Sequence, residues 1–250
     1  MNSAFKALIV RLEAIGDVTE IDRIALGALP VQERFYPKGA EIIPDGEISS
    51  SCCLVVDGYA YRSKTLPDGN RQIFSLHTSG DIPDLHSLYL PKMDHSLGAI
   101  SDCTVARIPH EAVKDALARA PSLVGLLWRD TLIDAAAFRA WMLMLGQADA
   151  ASRMAHLFCE LYIRQSMAGL SKGNSFDLPL TQTDLSDVLG TSVVHTNRTL
   201  QDLRRRGLLD FDQQVVTILH WEELRSLAQF DPSYLHYMDR RVGRIDPAKL

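Results

Sequence analysis

The sequence has few of the features that would commit it to a membrane, a disulfide scaffold or a metal finger. No uninterrupted apolar run in its 250 residues approaches the roughly 20 needed to cross a bilayer, so a helical span is not expected. The four cysteines, Cys52, Cys53, Cys103 and Cys159, form no CxxC pair. That removes the usual zinc spacing and the dense pattern of a disulfide-stapled domain, and we expect buried thiols. There is no HxH pair, and thus no typical metal grip of a jelly-roll enzyme. Nor is there an excess of positive charge: 26 Lys and Arg face 31 Asp and Glu, for a net charge of -5. Any contact with nucleic acid must then rest on a local cationic patch. Met1 to Glu20 lacks a basic stretch followed by an apolar block, which argues against a secretory leader and for a cytoplasmic protein without a membrane partner.

What is present is ordinary globular material, 46% hydrophobic and 23% charged, in a length that suits two domains. The predicted fold class is α+β: an N-terminal antiparallel β jelly roll, a long dimerisation helix and a C-terminal winged helix-turn-helix. The expected divisions are 1–120, 121–147 and 148–230, with a C-terminal tail over 231–250. From Gln32 to Ile108, strand-like stretches (Cys52 to Val56, Tyr59 to Lys64, Gln72 to His77) alternate with Asp45-Gly46, Asp57-Gly58 and Asp68-Gly69, which we read as hairpin turns. No helical pattern lies between them, so a double antiparallel sheet is favoured over a parallel one.

After Pro109 the period changes. His110 to Ala120 predicts a short helix, and Pro121 opens a second running to about Leu145. In the second, Val124, Leu127, Trp128, Thr131, Ala135, Phe138, Met142 and Leu145 recur at three- and four-residue steps and predict a dimer seam. Leu126, Ile133 and Ala140 form another apolar face, suited to packing on the chain's own β domain. Ala150 to Ser166 is amphipathic, and Gly169 to Ser175 reads as a loop.

The most informative segment is Thr181 to Arg206. Thr181 and Asp184 make a capping-box-like start, Gly190 ends the helix, and Ser192 caps a second one that Gly207 stops. Two short helices around a glycine turn fit a helix-turn-helix. Thr196, Leu200 and Leu203 should face inward, leaving Val193, Asn197 and Gln201 in one outward row and Val194 and Arg198 in another. Asn and Gln suit adenine, Arg suits guanine, and valine methyls suit thymine. From Ser192 to Gly207, Arg198, Arg204, Arg205 and Arg206 against Asp202 give a net +3, and Arg204 to Arg206 suit phosphates better than bases. Leu208 to Phe211 and Val215 to Leu219 flank Asp212-Gln213-Gln214 as a wing, and Trp221 to Gln229 is a covering helix.

With a β-roll and a long helix before it, TQTDLSDVLGTSVVHTNRTLQDLRRRGLLDF resembles the cyclic-AMP receptor and fumarate-nitrate regulator family of bacterial transcription factors. The resemblance implies a homodimer on double-stranded DNA with a palindromic operator, working with RNA polymerase. It places Val193, Val194 and Arg198 in base-reading slots and His195 near the backbone. Thr181, Ser192, Asn197, Gln201, Arg204 and Arg205 complete the expected DNA-binding set. Two valines stand where the cyclic-AMP receptor has Arg and Glu, so a different operator is expected.

The sensor departs further from the family. Gly80 to Leu85 begins the nucleotide cassette with Leu85 in the glutamate slot, and no arginine lies between Arg71 and Arg107 to meet a cyclic phosphate. Cyclic AMP is therefore not expected to bind in the usual way. The first cysteine is Cys52, too late for the N-terminal cluster of the iron-sulfur branch. We place an unidentified small-molecule effector near Asp84, Leu85, His86 and His95. His77, His86 and His95, with Asp84 and Asp94, are potential metal ligands, or haem ligands with Cys103, but the sequence does not bring them together, and no metal or cofactor is predicted. Two alternatives remain at this stage: a cupin-like metal-dependent enzyme and an interaction module without DNA binding.

Overall fold

A computed structural model describes residues 3–238. Contacts group the chain into two compact units, Met1–Asp134 and Ala135–Leu250, with the division inside one long helix.

The first unit opens with two helices that the sequence analysis did not predict, α1 (Ser3–Ile15) and α2 (Glu20–Gly27). Phe5, Leu8, Leu12 and Ile15 bury one stripe of α1 at three- and four-residue steps. A capping box starts α2: Thr19 Oγ1 accepts from the Asp22 amide at 3.2 Å, and Asp22 Oδ2 accepts from the Thr19 amide at 2.8 Å.

Seven strands follow: β1 (Gln32–Tyr36), β2 (Glu41–Ile43), β3 (Ser51–Asp57), β4 (Ala60–Thr65), β5 (Arg71–His77), β6 (Ser96–Ala99) and β7 (Cys103–Pro109). They form two antiparallel sheets, ordered β1-β7-β3 and β2-β6-β4-β5. Ile42, Ile43, Leu97 and Ala99 from one sheet meet Cys53, Val55, Cys103 and Val105 from the other in a single core. Cys52 and Leu54 point the opposite way on β3 but are also buried, because α1 packs on that strand. Burial on both faces explains why β3 reads as an unbroken apolar run rather than an alternating one.

The turn reading needs correction. Only Asp68-Gly69 joins paired neighbours, β4 and β5. Asp57-Gly58 carries the chain from one sheet to the other, since β3 pairs with β7 and β4 with β5 and β6. Asp45-Gly46 likewise lies between strands of different sheets. Gly58 is required there twice over: its φ is +80°, and a Cβ would sit 2.1 Å from the Asp102 carbonyl oxygen.

Helix α3 (His110–Arg119) and helix α4 (Ser122–Gln147) come next, close to their predicted bounds. In the first unit, the start of α4 buries Leu123, Leu126 and Ile133. It is anchored by ion pairs from Arg11 to Asp130 (2.9 Å) and from Arg62 to Asp134 (2.6 Å).

In the second unit, α5 (Ala150–Ala168) starts at Asp149, whose side chain accepts from the Ser152 amide at 2.7 Å, and ends at the left-handed Gly169. Then come β8 (Ser175–Asp177), α6 (Gln182–Leu189), α7 (Val193–Arg205), β9 (Leu209–Asp212), β10 (Val215–Ile218) and α8 (Trp221–Ala228). The predicted loop Gly169 to Ser175 runs directly into β8, an outer strand of a three-stranded sheet ordered β8-β10-β9. Met154, Leu157, Phe158 and Leu161 on α5 build the core, with Leu224 and Ala228 of α8 also buried. Within it Glu160 is fully buried and accepts from Trp141 Nε1 (2.9 Å), the Tyr234 hydroxyl (2.6 Å) and Arg164 (3.3 Å). Tyr234 belongs to the segment expected to be a tail; there Pro232–Leu235 forms a 3-10 turn with Leu235 buried. The rest of that expected tail, 239–250, lies outside the described residues. No helix among the described residues is long and apolar enough to cross a membrane.

Candidate nucleic-acid interface

The sequence of caps sets the position of α6 and α7. Thr181 Oγ1 accepts from the Asp184 amide at 3.1 Å while Asp184 Oδ2 accepts from the Thr181 amide at 3.0 Å, a complete capping box with Asp in the usual Glu place. Gly190 closes α6 at φ +60°, a conformation open to glycine at no steric cost. Two residues later Ser192 Oγ accepts from the His195 amide at 3.2 Å and starts α7.

Leu185, Val188 and Leu189 of α6 are buried, as are Thr196, Thr199, Leu200 and Leu203 of α7. The inner face of α7 is therefore the one predicted, extended by Thr199, whose hydroxyl donates to the His195 carbonyl at 2.9 Å. On the opposite side, Ser192, Val193, Val194, His195, Arg198 and Gln201 are exposed, Val194 at 69%.

Two expectations for this face change. Asn197 is half-buried, and its amide donates to Gln182 Oε1 of α6, a residue that spacing along α7 could not single out. The predicted phosphate-binding arginines are also engaged: Arg204 pairs with Asp210 of β9 at 2.9 Å, and Arg205 and Arg206 both reach Asp202. All lie at least partly in solvent, where such pairs are worth about 0–1 kcal/mol and yield readily to a phosphate. Arg198 is the arginine of α7 with no acidic partner among the described residues.

Beside α7, β9 and β10 pair with Val215 opposite Asp212, leaving Gln213 and Gln214 as a two-residue tip. Both tip residues hold positive φ, +46° and +65°. This is the wing expected from the sequence, with β8 added at its far edge.

Residues 152–227 match the Crp-like helix-turn-helix domain family, and residues 33–120 match the cyclic nucleotide-binding domain family. The solved structure of FixK2 from Bradyrhizobium japonicum is similar, with a TM-score of 0.73 at 27% identity, covering 80% of this chain and 98% of that one. The chain belongs to the cyclic-AMP receptor and fumarate-nitrate regulator family. It is 27% identical to a probable transcriptional activator of Rhizobium leguminosarum bv. viciae, over 78% of this chain and 77% of the relative. It is likewise 27% identical to the nitrogen fixation regulation protein FixK of Rhizobium meliloti, over 77% and 85%.

Within this family member's cyclic nucleotide-binding domain, the expected effector residues separate. Asp84 is 0% exposed, accepts from the Cys53 amide at 2.6 Å and has its other oxygen unpartnered. Burial pushes its carboxyl above the usual range. It braces β3 from inside, away from solvent. Leu85 opens a 3-10 turn, Leu85–Leu88, and is half-buried. His86 and His95 do come together, with ring centroids 5.2 Å apart. The arginine beside them precedes the Arg71 to Arg107 stretch: Arg62 of β4 donates to the Pro83 carbonyl at 2.6 Å and pairs with Asp134.

The iron-sulfur branch of the family calls for clustered cysteines. Here all four are buried, and burial pushes the Cys103 thiol up to about 12 and those of Cys52, Cys53 and Cys159 upward as well. The groups that could hold a metal among the described residues include no cysteine, so the donor set does not fit a cysteine-held cluster.

The predicted dimer seam on α4 divides into exposed and enclosed residues. Val124, Trp128 and Met142 are exposed, joined by Leu132 and Leu143, which the sequence analysis did not select. Thr131, Ala135 and Phe138 are half-buried. Leu127 is buried within its own chain, contrary to expectation. Leu145 is half-buried and lines a cleft with Trp141, Leu157 and Leu189.

Proposed function

We propose that this DNA-binding transcription regulator works as a homodimer on a palindromic operator, each copy setting the N-terminal half of α7 into one major groove. The observation that carries the reading is the exposed row of Val194 and Arg198 on a helix capped at both its own start and that of its supporting helix. Val194 suits a thymine methyl and Arg198 the O6 and N7 edge of guanine. Asn197 and Gln201 read adenine once Asn197 exchanges Gln182 for a base. Thr181, Ser192 and His195 contact the backbone, as do Arg204 and Arg205 when a phosphate displaces their carboxylates. The exposed apolar residues of α4 form the seam with the second copy. In this reading residues 1–120 are the sensor, 121–147 the dimer helix and hinge, and 148–230 the DNA-binding domain. The protein acts in the cytoplasm, recruits or blocks RNA polymerase, and performs no catalysis of its own.

The sensor does not take cyclic AMP in the usual way. Arg62 could answer a phosphate, but its guanidinium is already given to Asp134 and the Pro83 carbonyl. Calorimetry with cyclic AMP should show no micromolar binding.

A mobility-shift selection on random duplexes tests the main reading. It should enrich a palindrome whose half-sites lie about one helical turn apart, and Arg198→Ala should lose that preference. Failure to enrich any palindrome would refute it.

A further inference from the structure

We propose that the sensor β-roll carries a binding site for a divalent transition metal such as zinc, with His86 and His95 as ligands and Asp94 as the carboxylate that orients His95.

The two ring nitrogens carry the case. His86 Nε2 and His95 Nε2 are both buried and have no hydrogen-bond partner. Buried polar atoms are almost always satisfied, so two orphans on adjacent rings call for a missing third party. His95 is 9% exposed, and Phe74 lies edge-on to its ring at 5.5 Å between centroids, which fixes its position. On its other side, His95 Nδ1 meets Asp94 Oδ1 at 2.5 Å. A carboxylate on one nitrogen places the proton there and leaves the lone pair on the other, the usual arrangement behind a metal-binding histidine. His86, Asp94 and His95 each offer a donor atom, all within 4.8 Å of one another.

The electrostatics agree. Arg62 is the opposing charge, and Asp134 at 2.6 Å answers it. An incoming cation therefore meets a balanced pair and the exposed carboxylate of Asp94. Imidazole nitrogen selects zinc, copper, nickel or iron over magnesium or calcium, and two protein ligands leave coordination positions open for water or a small molecule. The pair joins two segments: His86 sits in the 3-10 turn two residues after Asp84, and His95 directly precedes β6.

The experiment uses the full chain, stripped of metal by a chelator and titrated without DNA, so its outcome is separate from that of the DNA reading. Cobalt(II) should give visible d–d absorption saturating at one equivalent per chain, and zinc should displace it. His86→Ala and His95→Ala should each abolish the signal. Asp94→Asn, at an exposed position that cannot threaten folding, should weaken zinc binding by about 10–100-fold. His110→Gln, at a buried histidine outside the group, should leave binding unchanged. A folded chain that gives no cobalt spectrum would overturn the proposal, as would binding that persists in the His86→Ala/His95→Ala double variant.

Discussion

Arg204 at the end of α7 holds the Asp210 carboxylate of β9 at 2.9 Å, so the cationic end of the exposed helix is tied to the wing beside it. The pair is largely solvated, which keeps its contribution below about 1 kcal/mol. A DNA phosphate competes with Asp210 for the same guanidinium. Asp210→Asn removes the competitor. The variant should keep its stability to within about 0.5 kcal/mol, and its affinity for any duplex should fall more steeply with salt, by about one unit of log K against log salt. Binding isotherms at four salt concentrations measure this; an unchanged slope would mean that Arg204 does not reach the backbone.

Arg198 and Arg205 should behave differently because only one stands in the base-reading row. Arg198→Ala should cost about 1–3 kcal/mol on the selected operator and relax preference at a single base position. Arg205→Ala should weaken specific and random duplexes alike. Competition assays with both duplexes separate the two. Equal losses for Arg198→Ala on both would move that residue to the phosphates.

The fold was legible wherever the code is local. Thr181, Asp184, Gly190 and Ser192 announce the ends of α6 and the start of α7 because a cap is satisfied within three or four residues. The long α4 was legible from its period. Helix α1 carries the same kind of signal, since Phe5, Leu8, Leu12 and Ile15 keep helical spacing, but an apolar stripe at an N-terminus is shared by leader segments and so does not by itself announce a core helix. Strand β8 has three residues, too few to show a period, and exists through its pairing with β10. Long-range partners were not legible at all. Nothing near Asn197 points to Gln182, nothing near His86 points to Arg62, and Asp84 resembles a pocket carboxylate until β3 is seen lying on it.

Stability should fall on the acid side of neutrality, in part through His156. Its ring is buried, edge-on to Phe230 and stacked on Tyr234, and burial holds its pKa below the ordinary 6.5. Between the lowered folded value and 6.5 the unfolded chain binds the proton and the folded one does not. The neutral ring's contribution is thus complete above 6.5 and is lost as pH falls below it. Urea melts from pH 8 to pH 5 should show this decline, and His156→Gln should make it shallower. Identical pH slopes for the two proteins would contradict the assignment.

The wing tip is strained where Gln213 and Gln214 both occupy positive φ without being glycine. Two-residue hairpin tips of this kind favour Asn-Gly. Gln214→Gly should stabilise the chain by up to about 1 kcal/mol and raise its melting temperature by about 2–4 °C, provided the backbone N–H and C=O pairing of β9 with β10 is kept. A lower melting temperature would show that the Gln214 side chain contributes more than its backbone costs.

Leu127 and Trp128 are adjacent on α4 and face different surroundings, 7% and 63% exposed. Helical geometry turns neighbours about 100° apart, so one can serve the chain's own core while the next serves a partner. Leu127→Ala removes buried methyl groups and should cost about 2–5 kcal/mol of folding stability. The melting temperature should drop with no direct change in association. Trp128→Glu leaves the core alone and places a charge in the proposed seam. It should shift the protein to monomers in sedimentation equilibrium, with near-normal melting of the monomer, and weaken operator binding because two half-sites can no longer be gripped at once. Met142→Glu, farther along the same exposed face, should act in the same direction. If both charged variants stay dimeric, the seam lies elsewhere and the exposed apolar row of α4 needs another partner.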